Sequence, residues 1–308
     1  MTTITTDLIR QLRERSGAGM MDCKKALTEA GGDIEAAIDW LRTKGLAAAA
    51  KKAGRSAAEG LVGVHVEDGV GAVVEVNAET DFVGRNETFQ NFVRKAAALS
   101  ISSNSSIDQL NAMTDPESGR SISDEITHLI ATVGENMVLR RCHTLQVSTG
   151  VVASYIHGTV ASGLGRIGVL VALESSGDKT KLESVGRNIA MHIAATHPQA
   201  LDVDGLDPQL IENERNVLTE QAKASGRPDN IIEKMVEGRL RKFYEQVVLL
   251  EQVYVVDNER KIRQVVQDSE KEVGAPITLK GFVRFGLGEG IEKKSTDFAE
   301  EVAAQLSS

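Results

Sequence analysis

Hydrophobic and polar positions along this chain recur with two different periods, and each change of period marks a change of element. Over residues 1–45 the apolar residues repeat at helical spacing in three short runs. Asp7 is placed to cap the first, with Leu8, Ile9 and Leu12 on one side, and Gly17-Ala18-Gly19 ends it. Met20, Met21, Ala26 and Leu27 supply the apolar side of the second. Gly31-Gly32-Asp33 makes a stop and a fresh cap, after which Ile34, Ala37, Ile38 and Leu41 repeat until Gly45. Residues 47–60, rich in Ala and Lys, read as a solvated helical connector, with a basic nucleic-acid patch as the other reading.

Beyond the connector the period drops to two. Residues 61–65 and 72–78 flank Glu67-Asp68-Gly69, a hairpin signal. A helix with Phe89, Phe92, Val93 and Ala96 follows, and residues 137–147 alternate as a further strand. The same order then returns. Residues 151–156 and 167–173 surround a glycine-rich loop, a helix carries Ile189, Ile193 and Ala194, and residues 278–285 close the unit. This repeat predicts an α+β fold with a duplicated core of antiparallel sheets, each burying one face under helices. Two charged helical patterns, residues 207–223 and 228–250, interrupt the second copy around Ala224-Ser225-Gly226-Arg227-Pro228. Leu210, Ile211, Val217 and Leu218 are expected to meet Ile231, Ile232, Met235 and Val236 in an antiparallel helical hairpin. Residues 296–306 predict a short amphipathic helix with Phe298 and Val302 on one side. The expected units are residues 1–54, 55–150, 151–206 with 251–290, the hairpin at 207–250, and a terminal module at 291–308.

Composition narrows the function classes. The 308 residues include 44 acidic and 35 basic side chains, a formal net charge of −9, so the positive field that draws nucleic acid is missing. Three Tyr and one Trp offer few platforms for stacking bases. Cys23 and Cys142 form no disulfide framework and no paired metal spacing, and read as reduced thiols of a cytosolic protein. The first residues lack the charged leader and apolar core of a signal peptide, and no apolar run approaches the roughly 20 residues that span a bilayer. A soluble, cytoplasmic protein is expected.

Gly163-Leu164-Gly165-Arg166-Ile167-Gly168 spells G-x-G-x-x-G, yet a strand pattern follows it where a dinucleotide site needs a helix N-terminus. It reads as a flexible hairpin loop. No Walker-type phosphate loop is present, so the chain is not expected to hold GTP itself. The histidines, among them His128, His143, His157, His192 and His197, match no zinc-ligand spacing, and no cofactor is expected.

The most informative stretch is Glu79-Thr80-Asp81-Phe82-Val83. Val74, Val76 and Ala78 point one way and Glu75, Asn77 and Glu79 the other, until an acid and a large aromatic stand side by side and Gly84-Arg85-Asn86 breaks the pattern. A carboxylate beside a rigid ring at a strand tip suits insertion into another protein's metal or phosphate site. The plainer reading lets Phe82 continue the apolar face and gives Thr80 or Asp81 a capping role.

Longer motifs bear on that choice. Leu12-Arg13-Glu14-Arg15-Ser16-Gly17-Ala18-Gly19-Met20-Met21-Asp22-Cys23-Lys24-Lys25-Ala26-Leu27 and Glu75-Val76-Asn77-Ala78-Glu79-Thr80-Asp81-Phe82-Val83 resemble bacterial elongation factor Ts. So, in order, do Tyr155-Ile156-His157-Gly158, Val236-Glu237-Gly238-Arg239 and Gly288-Glu289-Gly290-Ile291-Glu292-Lys293. The resemblance implies a three-helix ubiquitin-associated type of domain at the N-terminus and a guanine-nucleotide exchange factor whose partner is elongation factor Tu. It implies that Thr80, Asp81, Phe82 and Val83 dislodge the partner's Mg²⁺. It also implies partner contacts at Lys24, His157 and Val133-Gly134, where the family more often carries Ile-Gly. Two other classes stay open on the residues alone: a small-molecule enzyme using the glycine loop, and a helical scaffold that binds without altering nucleotide release.

Overall fold

The structure is a computed structural model and describes residues 4–16, 18–67, 69–224 and 228–292. Gly17, Asp68, residues 225–227 and the terminal helix expected at 296–306 lie outside the described residues. Three helices open the chain: α1 (Thr6–Ser16), α2 (Met20–Glu29) and α3 (Ile34–Lys52). They close around Leu12, Cys23, Ala26, Leu27 and Ala37, all fully buried. Thr5, not Asp7, caps α1, its hydroxyl accepting from the Leu8 amide at 3.3 Å. Met20 and Met21 do not line the inner side of α2. They are 58% and 76% exposed, because Cys23 takes the inward position one turn later. Asp33 caps α3 as its sequence context predicts, accepting from the Ala36 amide at 2.8 Å.

The expected stop at Gly45 is absent. Helix α3 continues to Lys52, and Gly45 is buried where it meets a later helix; a Cβ there would lie 3.4 Å from the Cβ of Ala131. Glycine here permits close helix approach at a propensity cost of roughly 1 kcal/mol. Residues 47–52 of the connector are helical, with Ala49 packed against the core and Ala47, Ala50 and Lys51 exposed.

The core follows in chain order. Its first copy holds β1 (Glu59–Glu67), β2 (Val70–Ala78), α4 (Glu87–Ser100), α5 (Ile107–Ala112), α6 (Ile122–Val133) and β3 (Met137–Gln146). The second begins with β4 (Gly150–His157), β5 (Leu164–Gly165), β6 (Ile167–Glu174) and α7 (Lys179–Thr196). Then come α8 (Pro208–Lys223), α9 (Asp229–Val247), α10 (Ile262–Val273) and the closing β7 (Thr278–Gly286). The strand orders are β3-β2-β1-β5 and β4-β6-β7, and every pair is antiparallel. In both sheets the second strand of the hairpin lies centrally, between its partner and the strand that returns after the helices.

Three hydrophobic layers hold this α+β arrangement together. Val74, Val76 and Ala78 of β2 pack on Phe89, Phe92 and Val93 of α4 and on Leu129 and Ile130 of α6. Val169, Val171 and Leu173 of β6 pack on Leu182, Ile189 and Ile193 of α7 and on Val265 and Val266 of α10. Val62 and Val73 meet Val152, Leu170 and Ala172 between the two sheets. The sheets approach closely because Gly71 and Gly168 lack side chains: a Cβ would fall 2.6 Å from Val152 Cγ1 and Val62 Cγ1 respectively. The glycine-rich loop is pinned, not flexible. Its β5 segment adds to β1, and the Val64 amide donates to the Gly163 carbonyl at 2.9 Å.

Helices α8 and α9 pair through Leu218 and Ala222 against Ile232, Val236 and Leu240. Val217 and Ile231, expected in that seam, are 52% and 39% exposed, and Leu210 and Ile211 pack at the root with Leu206 and Val248 instead. Leu218, Ile232, Met235 and Val236 lie in the seam as expected, and Ala222 and Leu240 complete it.

The polar face of β2 is not solvated. Glu75 is fully buried between the sheets. Its carboxylate accepts from Arg140 Nη1 (3.0 Å), Arg141 Nε (2.5 Å), Asn77 Nδ2 (3.0 Å) and the Gly288 amide (2.8 Å). Arg140 and Arg141 also donate to the carbonyls of Glu289 and Gly286. Glu75→Ala strands two guanidinium groups that keep only partial access to water, so we expect a loss of about 3 kcal/mol in urea unfolding.

His192 is fully buried, its Nε2 against Gln252 Oε1 at 2.9 Å and its Nδ1 accepting from the Val255 amide at 3.3 Å. Burial pushes its pKa down, against an upward pull from the Gln252 hydrogen bond. Burial likewise lowers His128 and His143. The unfolded chain takes up these protons below about pH 6.5 while the folded one resists them, so stability falls as pH drops through that value. His192 alone contributes a slope of up to about 1.4 kcal/mol per pH unit. Chemical denaturation at pH 7.5, 6.5 and 5.5 measures it, and His192→Gln makes the dependence shallower.

Candidate functional site

Strand β2 runs out at Ala78, and the chain turns through residues 79–86 before α4 begins. Glu79 and Thr80 bend away, Asp81–Arg85 form a short 3-10 turn, and Asn86 caps α4 by accepting from the Phe89 amide at 3.1 Å. Thr80 precedes the turn with an extended backbone, and its side chain makes no capping bond to it. Val83 is 3% exposed and belongs to the core, and Gln90 Nε2 donates to the Gly84 carbonyl at 2.8 Å. Phe82, one residue from Val83, is 73% exposed, and Asp81 is exposed beside it. The aromatic does not continue the apolar face of β2; the 3-10 turn takes it out of strand register.

Two glutamates brace the base of this tip, each bridging residues 79–80 and 135–136. Glu135 accepts from the Thr80 amide at 2.9 Å with one carboxylate oxygen and from the Thr80 hydroxyl at 2.7 Å with the other. Glu79 reaches back, accepting from the Asn136 amide at 2.5 Å. Arg55, in the link between α3 and β1, pairs with Glu79 at 3.5 Å, and its carbonyl accepts from Asn136 Nδ2 at 2.9 Å. Three separate segments thus converge on the base of the tip.

The other predicted contacts distribute unevenly. Val133 and Gly134 end α6, Gly134 in the left-handed region with φ of 91°, and the next residue is the Glu135 that holds Thr80. Those two stand beside the tip. His157 ends β4 in an exposed position, near Tyr155 Oη at 3.4 Å, and its carbonyl accepts from the Arg166 amide. Arg166 pairs with Glu59 at 3.6 Å, and Glu59 lies opposite Ala78 in the β1–β2 register, so His157 belongs to the same end of the core. Lys24 stands apart on the exposed side of α2.

Sequence reasoning missed Glu79, Glu135 and Arg55 as parts of this site. Glu79 lies inside the motif that drew attention, but its partner is 57 residues away and nothing local announces it.

This site is a protrusion. The cavities of about 580, 560 and 390 Å³ are lined by other residues, along β7, between α3 and α6, and between α4 and α6. Among the described residues no cluster of three or more His, Cys, Asp or Glu is arranged to hold a metal ion. No described helix is long and apolar enough to cross a membrane. A convex tip with an exposed ring on a buried root is suited to pushing into another macromolecule, not to enclosing a small one.

Comparison with known proteins bears on what that macromolecule is. A family profile described as Elongation factor TS matches residues 79–289, beginning at the tip itself. The chain is 60% identical over 304 residues to Elongation factor Ts of Rhodospirillum centenum, covering 99% of each protein. It is 61% identical over 307 residues to that of Rhodospirillum rubrum, again with 99% of each covered. With the Elongation factor Ts of Rhizobium leguminosarum bv. trifolii it shares 57% over 306 residues.

The position of the tip makes a stability prediction. Phe82→Ser removes an exposed ring and leaves urea unfolding within about 0.5 kcal/mol of the parent. Val83→Ala opens space in the core and costs about 2 kcal/mol.

Proposed function

The chain belongs to the elongation factor Ts family, and from that premise we propose that it binds elongation factor Tu in its GDP state and promotes exchange of GDP for GTP. It makes and breaks no covalent bond. Asp81 and Phe82 enter the partner near its Mg²⁺ and phosphates, where the nucleotide carries its densest charge. The ring displaces apolar packing behind that site, and the Asp81 carboxylate disturbs the hydrogen bonds and waters that order the cation. Thr80 and Val83 fix the two ends of the insert, one to Glu135 and the other to the core. Lys24, Val133, Gly134 and His157 supply contacts away from the wedge. In this reading the protein carries no cofactor of its own and works in the cytoplasm.

One observation supports the wedge above the rest: a phenylalanine 73% exposed directly beside a valine 3% exposed. Burying a Phe ring yields roughly 1.5–3 kcal/mol. Each tenfold loss of nucleotide affinity needs about 1.4 kcal/mol. The ring therefore accounts for one to two decades, and faster exchange draws on Asp81 and the remote contacts. Linkage makes the effect reciprocal: a factor that weakens GDP binding is itself bound more weakly when GDP is present.

Release of a fluorescent GDP analogue from elongation factor Tu, followed at saturating factor, tests this. Asp81→Ala with Phe82→Ala is expected to slow factor-stimulated release by about a hundredfold while the variant remains folded. Release at the parental rate discards the wedge and leaves the remote contacts to explain exchange.

A further inference from the structure

We propose that Glu135 is a positioning residue for nucleotide exchange, presenting Asp81 and Phe82 as a preformed wedge through its hold on Thr80. This rests on the wedge reading above and extends it to a residue 55 positions along the chain from its target. Both carboxylate oxygens are used, one on the Thr80 amide and the other on its hydroxyl, at 2.9 and 2.7 Å. Thr80 is the last residue before the 3-10 turn, so two bonds there fix the direction in which that turn leaves the strand. Neither bond belongs to the sheet: the β2–β3 ladder ends at the Ala78–Met137 pair. The hold is therefore added beyond the end of the strands, where the chain would otherwise fray.

Its surroundings point the same way. Glu135 follows directly on Gly134, whose positive φ turns the end of α6 toward β3 and sets the carboxylate over Thr80. The reverse arm, Glu79 on the Asn136 amide, locks the two segments in register, and Arg55 closes the clasp from a third. Asp81 and Phe82, the two residues immediately beyond, are exposed. The geometry spends its polar contacts on the root and leaves the working end free. An insert already held in shape loses less conformational entropy on entering the partner than one that must be ordered there. That saving belongs to the state in which nucleotide is being expelled. Remote contacts form whether or not the tip is ordered.

The test separates maximal rate from affinity. Stimulated GDP release from elongation factor Tu is measured against factor concentration for the parent, Glu135→Ala, Glu135→Gln and the Asp81→Ala, Phe82→Ala pair. Glu135→Ala is expected to lower the maximal rate about tenfold and to leave the half-saturating concentration within about threefold. Glu135→Gln accepts from the Thr80 amide and donates to its hydroxyl, and so retains most of the rate. Adding Glu135→Ala to the Asp81, Phe82 pair causes no further loss, because the residue acts only through the wedge.

If the wedge pair slows release but Glu135→Ala reaches the parental maximum, the positioning role is overturned and the wedge reading stands. A further loss on the wedge-pair background overturns it as well, since Glu135 then acts by another route. Parental release from the wedge pair itself removes both. Thermal melting of each variant identifies any that fail to fold, and Glu135→Gln then carries the comparison, with a loss equal to total removal of the wedge counting against positioning.

Discussion

A carboxylate with no access to water governs the architecture of this protein. Moving Glu75 out of solvent carries a penalty of several kcal/mol, which only a near-complete set of donors offsets. The chain supplies those donors from three places: Arg140 and Arg141 on β3, Asn77 on β2 itself, and the Gly288 amide beyond β7. The last two strands to close the two copies of the core are thereby fastened to one side chain. Strand β2 is buried from Gly71 to Ala78 on both faces and held between β1 and β3. The tip at residues 79–86 is its direct continuation, so rigidity at Glu75 is inherited a few residues later.

That rigidity gives the exposed ring its meaning. A solvent-facing phenylalanine on a mobile loop would fold back onto the nearest apolar surface. Here Val83 and Gly84 are buried in the core while Glu135 and Glu79 hold the other side, which keeps the intervening turn outward. Polar contacts at the base and bare apolar area at the end divide the work: the first determine where the turn stands, and the second is apolar surface left unburied.

Period and capping made much of this legible in the chain. In β2, Val74, Val76 and Ala78 alternate with Glu75 and Asn77 because one face meets α4, and Asp33 announced a helix start through its place before an apolar run. What escaped was set by partners far off in sequence. Gly45 reads locally as a stop, yet Ala131 of α6 makes it a point of close contact. Glu75 reads as one of several polar residues on an outward face until a second sheet covers it. Phe82 fits the even-numbered apolar face until the 3-10 turn shifts the register. Glu135 offers no signal at all, since a single glutamate after a helix-ending glycine is common and its target is on another element.

The two halves of the core differ at this junction. Both copies pass from a central strand to a long helix, β2 to α4 and β6 to α7. In the second half only residues 175–178 lie between them, and Ser175, Gly177 and Asp178 are committed to making the junction. The Ser175 amide donates to the Thr149 carbonyl, its hydroxyl accepts from the Gly177 amide at 3.2 Å, and Asp178 caps α7. Gly177 sits so tightly that a Cβ would fall 2.4 Å from the Val273 carbonyl oxygen. Such a connection has no room for an extra turn. The first copy spends residues 79–86 on the same passage, and the added length holds the 3-10 turn with its exposed acid and ring. Lengthening one strand-to-helix junction, and bracing it with Glu79 from within and Glu135 from the segment before β3, is enough to hold an acid and an aromatic ring out in solvent on one half of the core.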